Sequence, residues 1–224
     1  MRKDSLIILS GGMDSTTLLY DNKENIARTV IFNYGQKHDK EIEYAVYHSK
    51  VLSIPFSLID LSAIFLLHFK SNLLVTGGDI PNGHYEDEVM KKTVVPFRNG
   101  IMSSIAAGIA ESSNLKYVLI GVHQGDHAIY PDCRNDFLSY MNLAISKGTY
   151  THICMIAPYI HYTKREIALK GRSLGVNYKK TWSCYKGLSE HCGVCGTCVE
   201  RKEALQGFDT TFYKEEQDEK LPGF

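Results

Sequence analysis

The stretch that most constrains this chain is Ser10-Gly11-Gly12-Met13-Asp14-Ser15, because of what stands on either side of it. The apolar run Leu6-Ile7-Ile8-Leu9 precedes it and Thr16-Thr17-Leu18-Leu19 follows. A buried strand that ends in two glycines and runs into a hydroxyl-rich helix start leaves backbone N–H groups pointing outward, where an anion can bind. The lysine of the commoner phosphate loop, G-x-x-x-x-G-K-[ST], is missing. A tight Gly-Gly turn before a capped helix has the same pattern, so the rest of the chain must choose between the two readings.

Strand-like runs recur at residues 5–10, 29–34, 55–61, 116–121 and 153–158, near-continuously apolar as central strands covered on both faces would be. Helical patterns lie between them. Residues 39–52 place Ile42, Ala45, Val46 and Ser49 on one face, and residues 100–111 line up Ile101, Ile105 and Ile109 with small residues beside them. Thr163-Lys164-Arg165-Glu166 reads as a capping box opening a helix that stops at Gly175. Alternating strands and helices predict an α/β fold, a doubly wound parallel five-stranded sheet. Ligands bind beyond the C-terminal strand ends of such sheets, where the 10–15 loop falls. Residues 62–93, with Gly77-Gly78-Asp79, Pro81-Asn82-Gly83 and the acidic run Glu86-Asp87-Glu88, break the rhythm and read as an insertion over the site, either a lid or a surface excursion. The tail 209–224 is charged and expected to pack loosely.

Twenty-five Lys and Arg balance twenty-five Asp and Glu, so net attraction to nucleic acid is not expected and a small-molecule substrate is favoured. The apolar run after Met1-Arg2-Lys3 is too short for a signal peptide, and no stretch approaches membrane-spanning length. A cytoplasmic location is expected. Cys184, Cys192, Cys195 and Cys198 crowd together with glycines between them, which in a reducing compartment means a closed four-thiolate structural zinc site. The chain divides accordingly into an α/β region, 1–180, and a metal-binding region, 181–224, packed on the same core.

Polar groups collect after the other strands. Asn33-Tyr34-Gly35-Gln36-Lys37-His38, with Glu41 a turn on, follows the second; Val94-Val95-Pro96-Phe97-Arg98-Asn99-Gly100 offers a guanidinium at a helix start. The densest segment runs from Gly121 to Arg134, where Asp126, Asp132 and Arg134 are expected to read a polar heterocycle. Lys164 is a candidate for charge stabilisation at phosphates. Cys133 lies inside the polar loop and Cys154 inside a strand-like run.

The form S-G-G-x-D-S resembles the PP-loop of N-type ATP pyrophosphatases, which cleave ATP between the α- and β-phosphates. Taken with Tyr34-Gly35-Gln36-Lys37-His38, Val95-Pro96-Phe97-Arg98-Asn99, Tyr130-Pro131-Asp132-Cys133-Arg134, Ser183-Cys184-Tyr185-Lys186-Gly187 and Cys192-Gly193-Val194-Cys195-Gly196-Thr197-Cys198, the chain resembles the QueC family of 7-cyano-7-deazaguanine synthases, in order over nearly its whole length. The resemblance implies an adenine nucleotide α-hydrolase-like fold and a ligase forming C–N bonds. Its substrates would be 7-carboxy-7-deazaguanine, ammonia and ATP with Mg2+, and its product the nitrile preQ0, reached through an adenylated acid and an adenylated amide. It implies that Ser10, Gly11, Gly12, Met13, Asp14, Ser15, Thr16 and Thr17 bind ATP. Asp14, Lys37, Arg98 and Lys164 would then be catalytic, and Gln36, His38, Asn99, Asp126, Tyr130, Asp132 and Arg134 would bind the substrate. Lys37 stands where the family usually has arginine, keeping the charge without the bidentate fork. Structural Zn2+ on the four cysteines and a homodimer are implied as well.

Other readings use the same residues. A PP-loop enzyme adenylating another substrate is one alternative, as in tRNA thiolation with Cys133 and Cys154 as a sulfur-transfer pair, or in QueC-like protein modifiers. A zinc-ribbon binding module on a degenerate nucleotide core is a further possibility, opposed by the intact Ser10–Ser15 loop.

Overall fold

The apolar runs form the five strands β1 (Ser5–Ile8), β2 (Ile26–Asn33), β3 (Phe56–Asp60), β4 (Tyr117–Leu119) and β5 (Cys154–Ile156). They make one parallel sheet in the order β3-β2-β1-β4-β5, the doubly wound arrangement expected. The structure, a computed structural model, describes residues 3–84 and 88–214. Glu86 and Asp87 of the acidic run, and residues 215–224 of the tail, lie outside the described residues.

Alternation along β1 shows why both faces are covered. Leu6 and Ile8 join one core cluster, whereas Ile7 and Leu9 join another on the opposite face. The second cluster takes Leu18 and Leu19 from α1 (Met13–Asn22), Ala45 from α2 (Lys40–Val51) and Ile167 from α6 (Lys164–Ser173). The first takes Ala106, Ala107 and Ala110 from α4 (Arg98–Ser112) with Leu138 and Ile145 from α5 (Asn135–Gly148). The helix α3 (Ser62–His68) lies between β3 and α4 in sequence, and α7 (Gly196–Ala204) follows the cysteine cluster.

Two expectations about faces differ from the structure. In α4 the buried stripe is Met102, Ser103, Ala106, Ala107 and Ala110, and Ile101, Ile105 and Ile109 flank it, partly buried. Small side chains let the helix lie close on the sheet, so they outrank the larger isoleucines. Strand β3 is not covered on both faces: as an edge strand it leaves Phe56 38% and Leu58 51% exposed. Thr163 caps α6 as expected, its hydroxyl accepting the Glu166 N–H while the Glu166 carboxylate accepts the Thr163 N–H.

Within residues 62–93, Phe65, Leu73, Leu74, Ile80 and Met90 are buried in the main core. The start of the tail packs rather than lying loose, since Tyr213 is buried and donates to Asp209 at 2.7 Å. Trp182 donates its backbone N–H to the Gly11 carbonyl at 3.0 Å, tying the C-terminal region to the loop after β1.

Candidate active site

Gly11 sits at φ +88°, and a Cβ there would fall 2.0 Å from the Glu41 carbonyl oxygen, so only glycine lets the loop pass against the first turn of α2. The Ser10 and Ser15 hydroxyls bond each other at 2.9 Å, and the Gly12 N–H donates to the Ser10 hydroxyl at 3.2 Å. Gly12 is the N-cap of α1 and no side chain caps it, so the first-turn N–H groups face a cavity of ≈ 180 Å³ lined by Ser10, Gly12, Met13, Asp14 and Ser15. A helix start of this kind has the free N–H groups that the anion site expected from the sequence requires.

An ionic cluster stands beside it. Lys164 Nζ lies 2.8 Å from Asp14 and 3.2 Å from Glu200 of α7. His123 accepts the Gly125 N–H at Nδ1, leaving Nε2 to face Asp126 at 3.5 Å and Asp14 and Glu200 at 3.9 Å each. Burial alone would raise the Asp14 pKa, but Lys164 and His123 bring it below the usual carboxylate range. Burial would lower that of Lys164, and Asp14, Glu200 and Asp126 reverse this, keeping the ammonium charged. Glu200 is pushed up by burial, opposed in part by Lys164 and His123. The Asp14 Oδ1 is buried without a hydrogen-bond partner, which fits a group made to receive a hard cation.

The other end of the cavity is aromatic. Arg98 donates to the Tyr34 hydroxyl at 3.0 Å and lies over its ring, 5.4 Å from the centroid; the Tyr34 hydroxyl is 3.3 Å from His38 Nε2. Burial would lower the Arg98 pKa, and the hydroxyls of Tyr34 and Tyr185 with Asp132 hold it well above its ordinary value, so the charge is permanent. Among the described residues no carboxylate ion-pairs with it. A half-buried guanidinium whose side-chain hydrogen bond among the described residues goes to a phenol suits an anionic ligand. Asn99, Tyr130, Cys133 and Tyr185 complete the wall. Burial pushes the Cys133 thiol up, so it is no thiolate nucleophile.

Of the residues singled out from sequence, the structure brings Ser10, Gly12, Met13, Asp14, Ser15, His38, Arg98, Asn99, Asp126, Tyr130 and Lys164 to this cavity. It places the others elsewhere. Lys37 Nζ donates to the Gly77 and Gly78 carbonyls of the 62–93 segment. Gln36 holds the Phe32 carbonyl, the Tyr34 N–H and Glu41. Asp132 accepts the Asn99 N–H at 2.8 Å at the start of α4, and exposed Arg134 donates to the His127 carbonyl. Gly11 serves packing, Thr17 bonds the Tyr178 hydroxyl at 2.9 Å, and Thr16 is wholly buried. Cys154 lies in β5 and does not line the cavity, which separates it from Cys133. Sequence reading missed Tyr34, Glu41 and Tyr185 as lining residues and His123 and Glu200 as partners of Lys164, whereas Trp182 and Ser183 line the cavity as the loop expected to return to the site. Tyr34, Glu41 and Tyr185 stood inside or next to the quoted motifs, whereas nothing in the sequence joins Glu200 to Lys164.

The Sγ atoms of Cys184, Cys192, Cys195 and Cys198 all lie within 4.8 Å of one another, and those of Cys192 and Cys198 are 3.9 Å apart. Tetrahedral zinc–thiolate bonds would set sulfurs about 3.8 Å apart. The four buried cysteines are compatible with a metal ion, and the donor set fits zinc. His191 is not one of the set: its Nε2 accepts the Ser183 N–H, and its ring packs on Trp182.

The model of the queuosine biosynthesis protein QueC matches residues 4–209. The chain is 54% identical over 204 residues to the 7-cyano-7-deazaguanine synthase of Porphyromonas gingivalis, covering 91% of this chain and 92% of that one. It is 49% identical over 216 residues to the 7-cyano-7-deazaguanine synthase of Desulfotalea psychrophila, covering 94% and 98%. Among solved structures, NMN synthetase from Francisella tularensis has a similar fold, with a TM-score of 0.52 at 12% identity, over 96% of this chain and 82% of that one. The NH3-dependent NAD synthetase of Campylobacter jejuni does so with a TM-score of 0.50 at 16% identity, over 99% and 78%.

Proposed function

The chain belongs to the QueC family of queuosine biosynthesis proteins, and we propose that it converts 7-carboxy-7-deazaguanine, ammonia and ATP into 7-cyano-7-deazaguanine, AMP and pyrophosphate. The observation that carries this reading is the shape of one cavity: an uncapped helix start with Lys164 at one end, and at the other the half-buried Arg98, with which no carboxylate among the described residues forms an ion pair. A nucleotide's phosphates suit the first end and a substrate carboxylate the second.

The first-turn amides, the Ser10 and Ser15 hydroxyls and the Lys164 ammonium receive the departing pyrophosphate. Arg98 holds the 7-carboxylate near the α-phosphorus, and Asn99, Tyr130, Asp126 and His38 surround the deazapurine. Gln36, Asp132, Arg134 and Lys37 act behind this wall by fixing the turns that carry it. Asp14 is the residue that would hold Mg2+, whose chemistry is to offset charge on the phosphates. The four cysteines would hold Zn2+, fixing the segment through Trp182, Ser183 and Tyr185 that closes the cavity. No protein nucleophile is required, in keeping with the protonated state of Cys133.

We further propose a region 1–180 for ATP with 181–224 as its metal-bearing part, a homodimer, a cytoplasmic location and no nucleic-acid partner. No helix among the described residues is long and apolar enough to cross a membrane. Incubation with 7-carboxy-7-deazaguanine, ammonium and Mg-ATP, followed by mass spectrometry, should yield the nitrile and AMP. ADP in place of AMP, or no turnover by folded, metal-loaded protein, overturns the proposal.

A further inference from the structure

We propose that Glu41, held by Gln36 and His38, is the base that takes protons from the reacting nitrogen. The inference deepens the proposed function and rests on it. Ammonia entering as ammonium must lose a proton before it can attack, and an amide must lose both N–H protons to become a nitrile. The site therefore needs a proton acceptor besides its phosphate-binding groups.

Among the described residues, four side chains with a carboxylate or an imidazole line the cavity: Asp14, Asp126, His38 and Glu41. Asp14 is taken by Lys164 at 2.8 Å, and Asp126 accepts the His123 N–H at 3.2 Å. The remaining two form a pair away from the lysine. Glu41 Oε1 accepts from Gln36 Nε2 at 3.0 Å and lies 3.3 Å from His38 Nε2. Gln36 is itself fixed, accepting the Tyr34 N–H and donating to the Phe32 carbonyl, so its amide can only present N–H to the carboxylate. Glu41 Oε2 makes no hydrogen bond among the described residues, and the side chain keeps 11% of its surface exposed within the cavity wall. A carboxylate with one oxygen anchored and the other open is oriented as a base requires. The adjoining Tyr34 hydroxyl, 3.3 Å from the same His38 nitrogen, lets the pair reorganise when Glu41 takes up a proton.

In the first transfer Glu41 takes one proton from ammonium, and the freed lone pair forms a C–N bond to the acyl carbon. The C–O bond to AMP breaks with its electron pair on the departing phosphate oxygen, which carries off the surplus, strongly acidic N–H proton. In the second, the adenylated amide gives up its two N–H protons in turn as the C–O bond to AMP breaks and the C≡N bond forms. Glu41 returns each proton to solvent between steps.

Glu41→Gln separates adenylation from nitrogen transfer. Exchange of labelled pyrophosphate into ATP, driven by 7-carboxy-7-deazaguanine without ammonium, should stay within about threefold of wild type, while ammonium-dependent turnover falls by about 100-fold or more. Hydroxylamine, unprotonated at neutral pH, should still trap the acyl adenylate as the hydroxamate. Undiminished ammonium-dependent turnover, or hydroxamate formation lost in proportion, overturns the assignment. If the variant is unfolded by circular dichroism, Glu41→Asp decides. It should favour hydroxylamine over ammonium relative to wild type, and equal loss with both nucleophiles overturns the assignment. Wild-type protein that shows no substrate-dependent exchange refutes the proposed function itself, a result distinct from any failure of the variants.

Discussion

Replacing Lys164 with Met tests the electrostatics of the phosphate end. The substitution keeps most of the side chain's volume and removes the one ammonium lying 2.8 Å from Asp14 and 3.2 Å from Glu200. With side chains 16%, 16% and 12% exposed, the trio is sheltered enough that removing its cation should cost about 3 kcal/mol, the low end for a broken buried pair. The pH dependence has a definite sign. In wild type the Asp14 pKa lies below 3.8, so its pairing stabilises the fold above that pH and is lost as pH falls through the folded value. Glu200 lies above 4.5, so its burial costs stability as pH rises through that value. In Lys164→Met both carboxylates lose their cation, so the deficit is largest near neutrality and shrinks below about pH 4. Adding Glu200→Gln removes one stranded charge and should recover about 1 kcal/mol without restoring function. Guanidinium unfolding across pH reads the stability, and pyrophosphate–ATP exchange, expected to fall by about 100-fold, reads the loss at the phosphates. A single variant within about 0.5 kcal/mol of wild type at neutral pH, or a deficit that grows on acidification, would refute the reasoning.

Gly11→Ala should destabilise by more than the 1–2 kcal/mol of left-handed backbone alone, because its Cβ meets the Glu41 carbonyl at 2.0 Å; unfolding and ATP titration together would show a shifted loop, and an unchanged midpoint would contradict the packing. Arg98→Lys should raise the KM for the carboxylate substrate about tenfold or more, since an ammonium cannot reproduce the planar fork, while leaving ATP binding little changed in calorimetry. Metal analysis should find about one zinc per chain, with Cys195→Ser or chelation lowering the melting temperature, and a metal-free protein that melts unchanged would remove the structural metal.

Much of the site was legible because it is local. The Ser10–Ser15 loop shows its chemistry through consecutive residues, as do the cysteine spacing and the Thr163 capping box. Strand positions were legible from apolar runs, but their place in the sheet was not. Residues 55–61 read as a central strand, yet β3 is an edge, because a run of apolar residues records hydrophobicity and not the number of neighbours. Lys37 and Arg134 read as site cations, and both spend their donors on backbone carbonyls of neighbouring loops.

By itself the sequence determined the doubly wound class, the glycine turn between β1 and α1 and the clustered thiols, all set by residues close along the chain. Only the tertiary structure decided that Glu200 of α7 meets Lys164 of α6, that Trp182 holds the Gly11 carbonyl, and that Glu41 stands open in the cavity beside the Ser10–Ser15 loop. Those contacts join segments whose proximity depends on how the whole core packs, and no short pattern of residues encodes that. Packing delivers to the Ser10–Ser15 loop the Lys164 ammonium and the cavity that the proposed nucleotide site requires.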